Sequence, residues 1–238
     1  MISMEHKKFL EETKLLNYSH QKIQELIKIK KWENLDEEQQ IKAIYNYVRD
    51  EIRFGYNVDD NIPASKVLSD GYGQCNTKGT LFMALLRAVG IPCRIHGFTI
   101  DKKLQKGAMT GIVYKNAPKN VFHSWVEVLY ENDWYELEGF ILDKKYLEKL
   151  QNIHSECSGS FCGYGVAVKD FKHPMIDWNK NNTYIQSEGI TQDFGVYDNP
   201  DDLLKEHRQE MSEIKKILYK NLGRHLMNDN VRKIRNSN

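Results

Sequence analysis

An α+β fold, with N-terminal helices packed on an antiparallel β-sheet, follows from three features of the 238-residue sequence. Apolar residues return at helical spacing through the first fifty positions. A longer apolar-faced run follows Cys75 and stops at Gly90, Ile91 and Pro92. Between Val121 and Glu138 the pattern changes to alternation, broken once by Glu131, Asn132 and Asp133, which reads as a β-hairpin.

The first helix is expected over residues 9–29, where Phe9, Leu10, Leu15, Leu16, Ile23, Leu26 and Ile27 recur roughly every three or four positions. A second starts after Asp36, a capping residue with Gln39 three positions on. It carries Ile41, Ile44, Tyr45 and Val48 on one face and ends near residues 49–52. The segment FGYNVDDNIPAS then reads as loop. In LSDGYGQC two glycines precede Cys75. Leu81, Phe82, Leu85, Leu86 and Val89 follow at helical spacing, so Cys75 sits at the N-terminus of a buried helix. CRIHGFTI reads as a strand, and KKLQKGAMTGIVYKNAPKN as turn material. The hairpin puts His123 and Glu138 on adjacent antiparallel strands, where facing side chains touch.

The stretch 151–197, rich in Ser, Gly, Asn and aromatic residues, is the least regular, and the region 143–197 is expected to cover one side of a cleft. Helical spacing returns after Pro200, with Leu203, Leu204, Ile214, Ile217, Leu218, Leu222 and Leu226. Residues 215–238 hold seven Lys or Arg against one Asp. The division expected is one domain over 1–198 and a basic helical extension over 199–238. That extension is read first as a solvated face packed on the main domain, and next as a surface for an acidic partner or for oligomerisation. The oligomeric state is left open.

A hydrophobic share of 40% and a charged share of 28% exclude disorder. Lys plus Arg, at 34, nearly balances Asp plus Glu, at 33, so the net charge of +1 gives no case for nucleic acid or an anionic membrane as partner. The opening MISMEHKKFLEETK lacks the apolar run of a signal peptide, and charges interrupt each later apolar run before it could span a bilayer. A cytoplasmic location is expected, with Cys75, Cys93, Cys157 and Cys162 as reduced thiols.

A nucleophilic cysteine needs a base to make its thiolate and a third group to orient that base. Cys75 has a helix N-terminus, whose free N–H groups favour negative charge. His123 can serve as base, and Glu138 can accept from the second ring nitrogen and stabilise the imidazolium. The backbone N–H of Cys75 is a natural oxyanion donor. Gln74 or Tyr56 could supply a second donor, and Gln74 could equally be turn material. Cys93 reads as core, and Trp125 and Trp134 as packing. Cys157 and Cys162, with His154 nearby, match no common zinc spacing, and GYG at 71–73 lacks the lysine of a phosphate loop. No metal or organic cofactor is expected.

The motifs VRDEIRFGY, ASKVLSDGYGQC, TLFMALLRAVGIPCRI and HSWVEVLYENDWYELE, over roughly Ile41 to Leu142, resemble the transglutaminase-like superfamily, in a bacterial stand-alone form. The resemblance implies a papain-like fold and a Cys-His-acid triad falling on Cys75, His123 and Glu138. One departure stands out: the family usually has Asp-Pro at the acid, whereas this chain has Glu138-Gly139, one methylene longer. Asp143, five residues on, and Glu136, on the same strand face, are the less favoured stand-ins. The implied activity is acyl transfer through a thioester on Cys75, from a peptide or amide-containing substrate. Water as acceptor would make a peptidase or amidohydrolase, the reading preferred here. An amine acceptor would make a transglutaminase or an amide-forming acyltransferase. A scaffold serving only as a binding module is the non-enzymatic alternative.

Overall fold

The computed structural model describes residues 4–209 and 211–237. The chain opens with a 3-10 segment, Met4–Leu10, and an irregular stretch leading to α1, Gln21–Lys30. The long helix expected over 9–29 is therefore confined to its second half. Competing hydrogen bonds explain the difference. Thr13 Oγ1 accepts the Leu16 N–H, Asp201 accepts the Leu15 N–H at 3.2 Å, and the Leu15 carbonyl accepts from Ala64. Leu15 and Leu16 are buried all the same. His20 Nδ1 accepts the Lys22 N–H and starts α1 there.

Helix α2, Glu37–Asp50, begins where expected, with Asp36 accepting the Gln39 N–H at 2.8 Å. Strand β1, Arg53–Phe54, follows. The loop expected over 54–65 closes early in a further helix, α3, Ala64–Asp70, which buries Ala64, Ser65 and Val67 and ends on Gly71 at φ 68°. Strand β2, Tyr72–Gly73, pairs in parallel with β1. It feeds α4, Cys75–Ala88, which is buried from Cys75 through Arg87. Helices α2 and α3 pack on α4, and the main sheet covers it on β4.

That sheet has four antiparallel strands in the order β5-β4-β3-β8. Strand β3 is Cys93–Asp101; α5, Gly111–Asn116, is a short helix in the segment expected to be turns; β4 is Asn120–Tyr130 and β5 is Asp133–Leu137. Glu131 and Asn132 have φ of 52° and 70°, the paired left-handed conformation of a two-residue hairpin turn. Helix α6, Lys144–Ile153, runs into the stretch expected to be irregular, which contains a small hairpin of β6, Phe161–Gly163, and β7, Val166–Val168, and then β8, Ile190–Tyr197. After it come α7, Pro200–Glu206, α8, Glu213–Leu218, a π-helical turn over Tyr219–Gly223, and α9, Arg224–Arg235. Met227 and Val231 bury α9 against the core beside α6. Among the described residues, no helix is long and apolar enough to cross a membrane.

Candidate active site

Cys75 is the first residue of α4 and is 8% exposed. The approach is tight. A side chain at Gly73 would meet Thr77 Oγ1 at 2.7 Å and Lys78 Cγ at 3.0 Å, so only glycine lets β2 turn into the helix here. Thr77 Oγ1 accepts the Gln74 N–H at 3.1 Å and donates to Asn57 Oδ1 at 2.6 Å, which fixes the first turn of α4. The first-turn N–H groups of a helix lack intrahelical acceptors, and their field favours an anion at that end.

His123 lies in β4, opposite Phe98 of β3, and is fully buried. Its Nε2 meets Glu138 Oε1 at 2.7 Å. An ionised carboxylate only accepts, so Nε2 carries the proton of that bond. Nδ1 is buried without an oxygen or nitrogen partner, which leaves it as the ring nitrogen able to exchange a proton with Cys75. Burial works against the charged ring, but the adjacent Cys75 thiolate and then the Glu138 carboxylate outweigh it, and the His123 pKa is pushed up to about 10.

Glu138 does not face His123 across the hairpin as the alternation suggested. The β4–β5 pairing ends at Val126 with Leu137, and Glu138 is the next residue, where the chain has left the sheet. Its backbone N–H goes to the Thr183 carbonyl at 2.9 Å, and Gly139 donates to Thr183 Oγ1 at 3.1 Å. The Glu138 side chain turns back to His123. Its second oxygen, Oε2, accepts the N–H groups of Ile185 and Gln186 at 2.7 and 2.8 Å. The extra methylene of glutamate is accommodated by this departure from strand geometry, and the carboxylate has three donors in a fully buried position.

Asp143 lies elsewhere. It accepts from Phe54 N–H and Tyr146 N–H and pairs with Arg235. Glu136 is engaged by the Tyr184 hydroxyl. Trp125 packs against Phe98 with ring centroids 4.1 Å apart, and Trp134 makes an edge contact with Phe9. Cys93 is buried and Cys162 exposed.

Cys75 opens into a cleft of about 940 Å³, lined also by Tyr56, Gln74, Asn76, Gln105 and Gln186. The Gln74 amide is held at both ends. Its oxygen accepts the Asn57 N–H at 2.9 Å, and one of its N–H groups reaches Asp60 at 2.9 Å. The Tyr56 hydroxyl donates to Gln105 Oε1 at 2.7 Å, and burial raises the Tyr56 pKa well above its ordinary value. The phenol is neutral with its one proton already committed.

Two contributors have no signature in the sequence motifs. Ser124 Oγ donates to Asn76 Oδ1 at 2.8 Å, linking the residue after Cys75 to the residue after His123. Both are buried polar residues beside the candidate pair, and their adjacency to it was the available clue. The backbone donors at 185 and 186 offered none, since a peptide N–H is the same whatever the side chain.

Residues 28–139, a stretch that includes all three of these side chains, match the model of the transglutaminase-like superfamily. Two solved structures are similar more loosely. A candidate cysteine protease from Cytophaga hutchinsonii is 14% identical, with a TM-score of 0.49 over 84% of this chain and 50% of its own. The transglutaminase of red sea bream is 16% identical, with a TM-score of 0.31 over 57% of this chain and 26% of its own. The chain thus spans half or less of either relative's length. No curated protein matches it. The likeness to the transglutaminase-like superfamily thus extends over residues 28–139, just under half of the 238-residue chain.

Proposed function

We propose that the protein is a cysteine-dependent acyl-transfer enzyme that cleaves a peptide or amide bond through a thioester on Cys75. One observation carries the reading: Glu138 holds the buried His123 through Nε2, the other ring nitrogen has no hydrogen-bond partner, and the nearby Cys75 alone of the three lines the cleft. In this scheme the Cys75 thiolate attacks the carbonyl carbon and the carbonyl electrons move onto oxygen. The backbone N–H of Cys75 receives the oxyanion, with the remaining N–H of the Gln74 amide as second donor. Tyr56 is the weaker candidate for that part, because its proton goes to Gln105. Collapse breaks the C–N bond, and His123 gives its proton to the leaving amine. Water, deprotonated by His123, then attacks the thioester carbonyl; the C–S bond breaks, the acid leaves, and the Cys75 thiolate is restored beside the protonated ring. Glu138 keeps the ring oriented throughout.

Intact-mass spectrometry after exposure to a panel of amides and peptides tests this directly. Wild type should show an adduct of acyl mass that is absent from Cys75→Ala, and candidate amines should discharge it only if transfer competes with hydrolysis. Cys75→Ala and His123→Ala should each lower turnover by about 10⁴-fold or more, with Glu138→Gln costing less. Undiminished turnover in Cys75→Ala would overturn the reading. So would carboxymethylation of Cys75 at pH 6 no faster than that of the exposed Cys162, because a thiol without a base is protonated there.

A further inference from the structure

The cleft beside Cys75 has walls that a folded core would not leave open. Leu218, Leu222 and Leu226 recur every four residues along the C-terminal helical segment and line it, yet are 57%, 54% and 45% exposed. Ile112 of α5, 72% exposed, lines it as well. Large aliphatic side chains gathered in one open cleft mark a surface awaiting an apolar ligand.

The backbone around them narrows the kind of ligand. The walls that carry these four side chains are helical, so most of their N–H and C=O groups are spent within the helices. Where β4 enters the cleft at Phe122, its N–H already goes to Gln209 Oε1 at 2.9 Å, and Gln209 Nε2 reaches the Asn120 carbonyl at 3.3 Å. An extended peptide that binds by adding a strand finds no free ladder here. A hydrocarbon chain asks only for apolar contact.

Charge supplies the other half. Each acid lining the cleft has a partner: Asp59 with Lys220, Glu213 with Lys216, Asp60 with Gln74, and Asp201 with Thr13 and the Leu15 N–H. The cations Lys205, Arg208 and Lys215 form no ion pair among the described residues. Asp60 and Asp201 are met by neutral donors only, so the lining, with five Lys or Arg against four acids, carries one net positive charge, gathered at Lys205, Arg208 and Lys215.

We propose that the cleft is a binding site for an amide of a long aliphatic acid that also carries an anionic group, such as an N-acyl amino acid. The chain lies against Leu218, Leu222 and Leu226, and the anion meets Lys205, Arg208 and Lys215. This deepens the reading of Cys75 as nucleophile and rests on it for the chemistry. The Cys75 Sγ–acyl bond forms as the amide C–N bond breaks, the amino acid leaves with the His123 proton, and water releases the fatty acid from the thioester.

The test measures binding of N-acylglycines with acyl chains of two, six, ten and fourteen carbons to Cys75→Ala, by calorimetry below the micelle concentration. Each methylene buried should raise affinity by up to roughly fourfold. Leu222→Asn should flatten the dependence on chain length, whereas Ile217→Asn, outside the lining, should leave it intact. Arg208→Gln should weaken all members alike and lessen their sensitivity to salt. Affinity independent of chain length, or a dependence that Leu222→Asn and Ile217→Asn alter equally, overturns the proposal. Wild-type turnover separates this site from the catalytic reading. Chain-length-dependent binding with no member cleaved supports the site and counts against the nucleophile. Cleavage of short amides together with flat binding does the reverse.

Discussion

His123 is subject to opposed influences: burial disfavours its charge, while Cys75 and Glu138 favour it. Removing the sulfur should let burial count for more. The imidazole of His123, followed by NMR, should titrate near 10 in wild type and at a clearly lower pH in Cys75→Ala, since the thiolate is the larger of the raising influences. Glu138→Gln should lower it as well. An unchanged titration in Cys75→Ala would mean that the sulfur does not act on the ring. The three residues were legible because each is a rare type at a marked place: a cysteine after two glycines, a histidine in an alternating strand, an acid at the end of the next. Lys78 was not legible. It is fully buried one turn into α4, donates to the Arg49 and Ile141 carbonyls at 3.1 and 2.9 Å, and burial pushes its pKa down to about 7. Nothing in a lysine's place in the sequence announces such a site, because its carbonyl partners come from two distant segments.

Strands β3, β4 and β8 are pinned together by a second histidine. His96 Nδ1 meets Glu127 Oε1 at 2.9 Å, its Nε2 meets Asp193 Oδ1 at 2.8 Å, and Arg94 bonds Glu127 at 2.6 Å. Burial lowers the His96 pKa, but the two carboxylates outweigh it and the net direction is up. A raised folded pKa stabilises the protein fully below the unfolded value of about 6.5, and that contribution fades as pH rises through the folded value. His96→Gln should therefore cost about 1 kcal/mol at pH 6 and less at pH 9, read from urea unfolding at each pH. An equal cost at both would assign His96 a packing role, through its stacking on Phe98 at 4.2 Å. The same strands show which elements a sequence exposes. The β4–β5 hairpin alternates and has a turn of its own, so it was legible. Strand β8 is half-buried at the sheet edge, reads ITQDFGVY, and takes its place only through β3, with two register shifts. Helix α3 was hidden for a related reason, since seven residues are too few for periodicity to show.

Besides the buried Met227 and Val231, an ion pair ties the C-terminal segment to the core. Arg235, near the end of α9, holds Asp143 by two bonds, at 3.0 and 2.6 Å, and also donates to the Phe54 carbonyl at 2.8 Å. Asp143 in turn accepts the Phe54 N–H next to β2 and caps α6. One carboxylate thus joins the last helix, the segment before the cleft and the helix beneath it. Burial opposes its charge, Arg235 outweighs burial, and the Asp143 carboxyl lies below its ordinary value. A depressed carboxylate stabilises the fold above the unfolded pKa of about 3.8, and the contribution is lost as pH falls through the folded value. The partners are 10% and 4% exposed, so Arg235→Ala leaves a buried acid without its cation and should cost about 3–5 kcal/mol at pH 7. The gap from wild type should narrow below pH 4, as Asp143 protonates in both proteins. The same helical segment carries Leu222 and Leu226 into the cleft. Loosening its anchor should therefore weaken binding of the fourteen-carbon N-acylglycine more than that of the two-carbon one, with the protein still folded. A variant that loses stability but keeps the full dependence on chain length would show that the wall of the cleft is held without this ion pair.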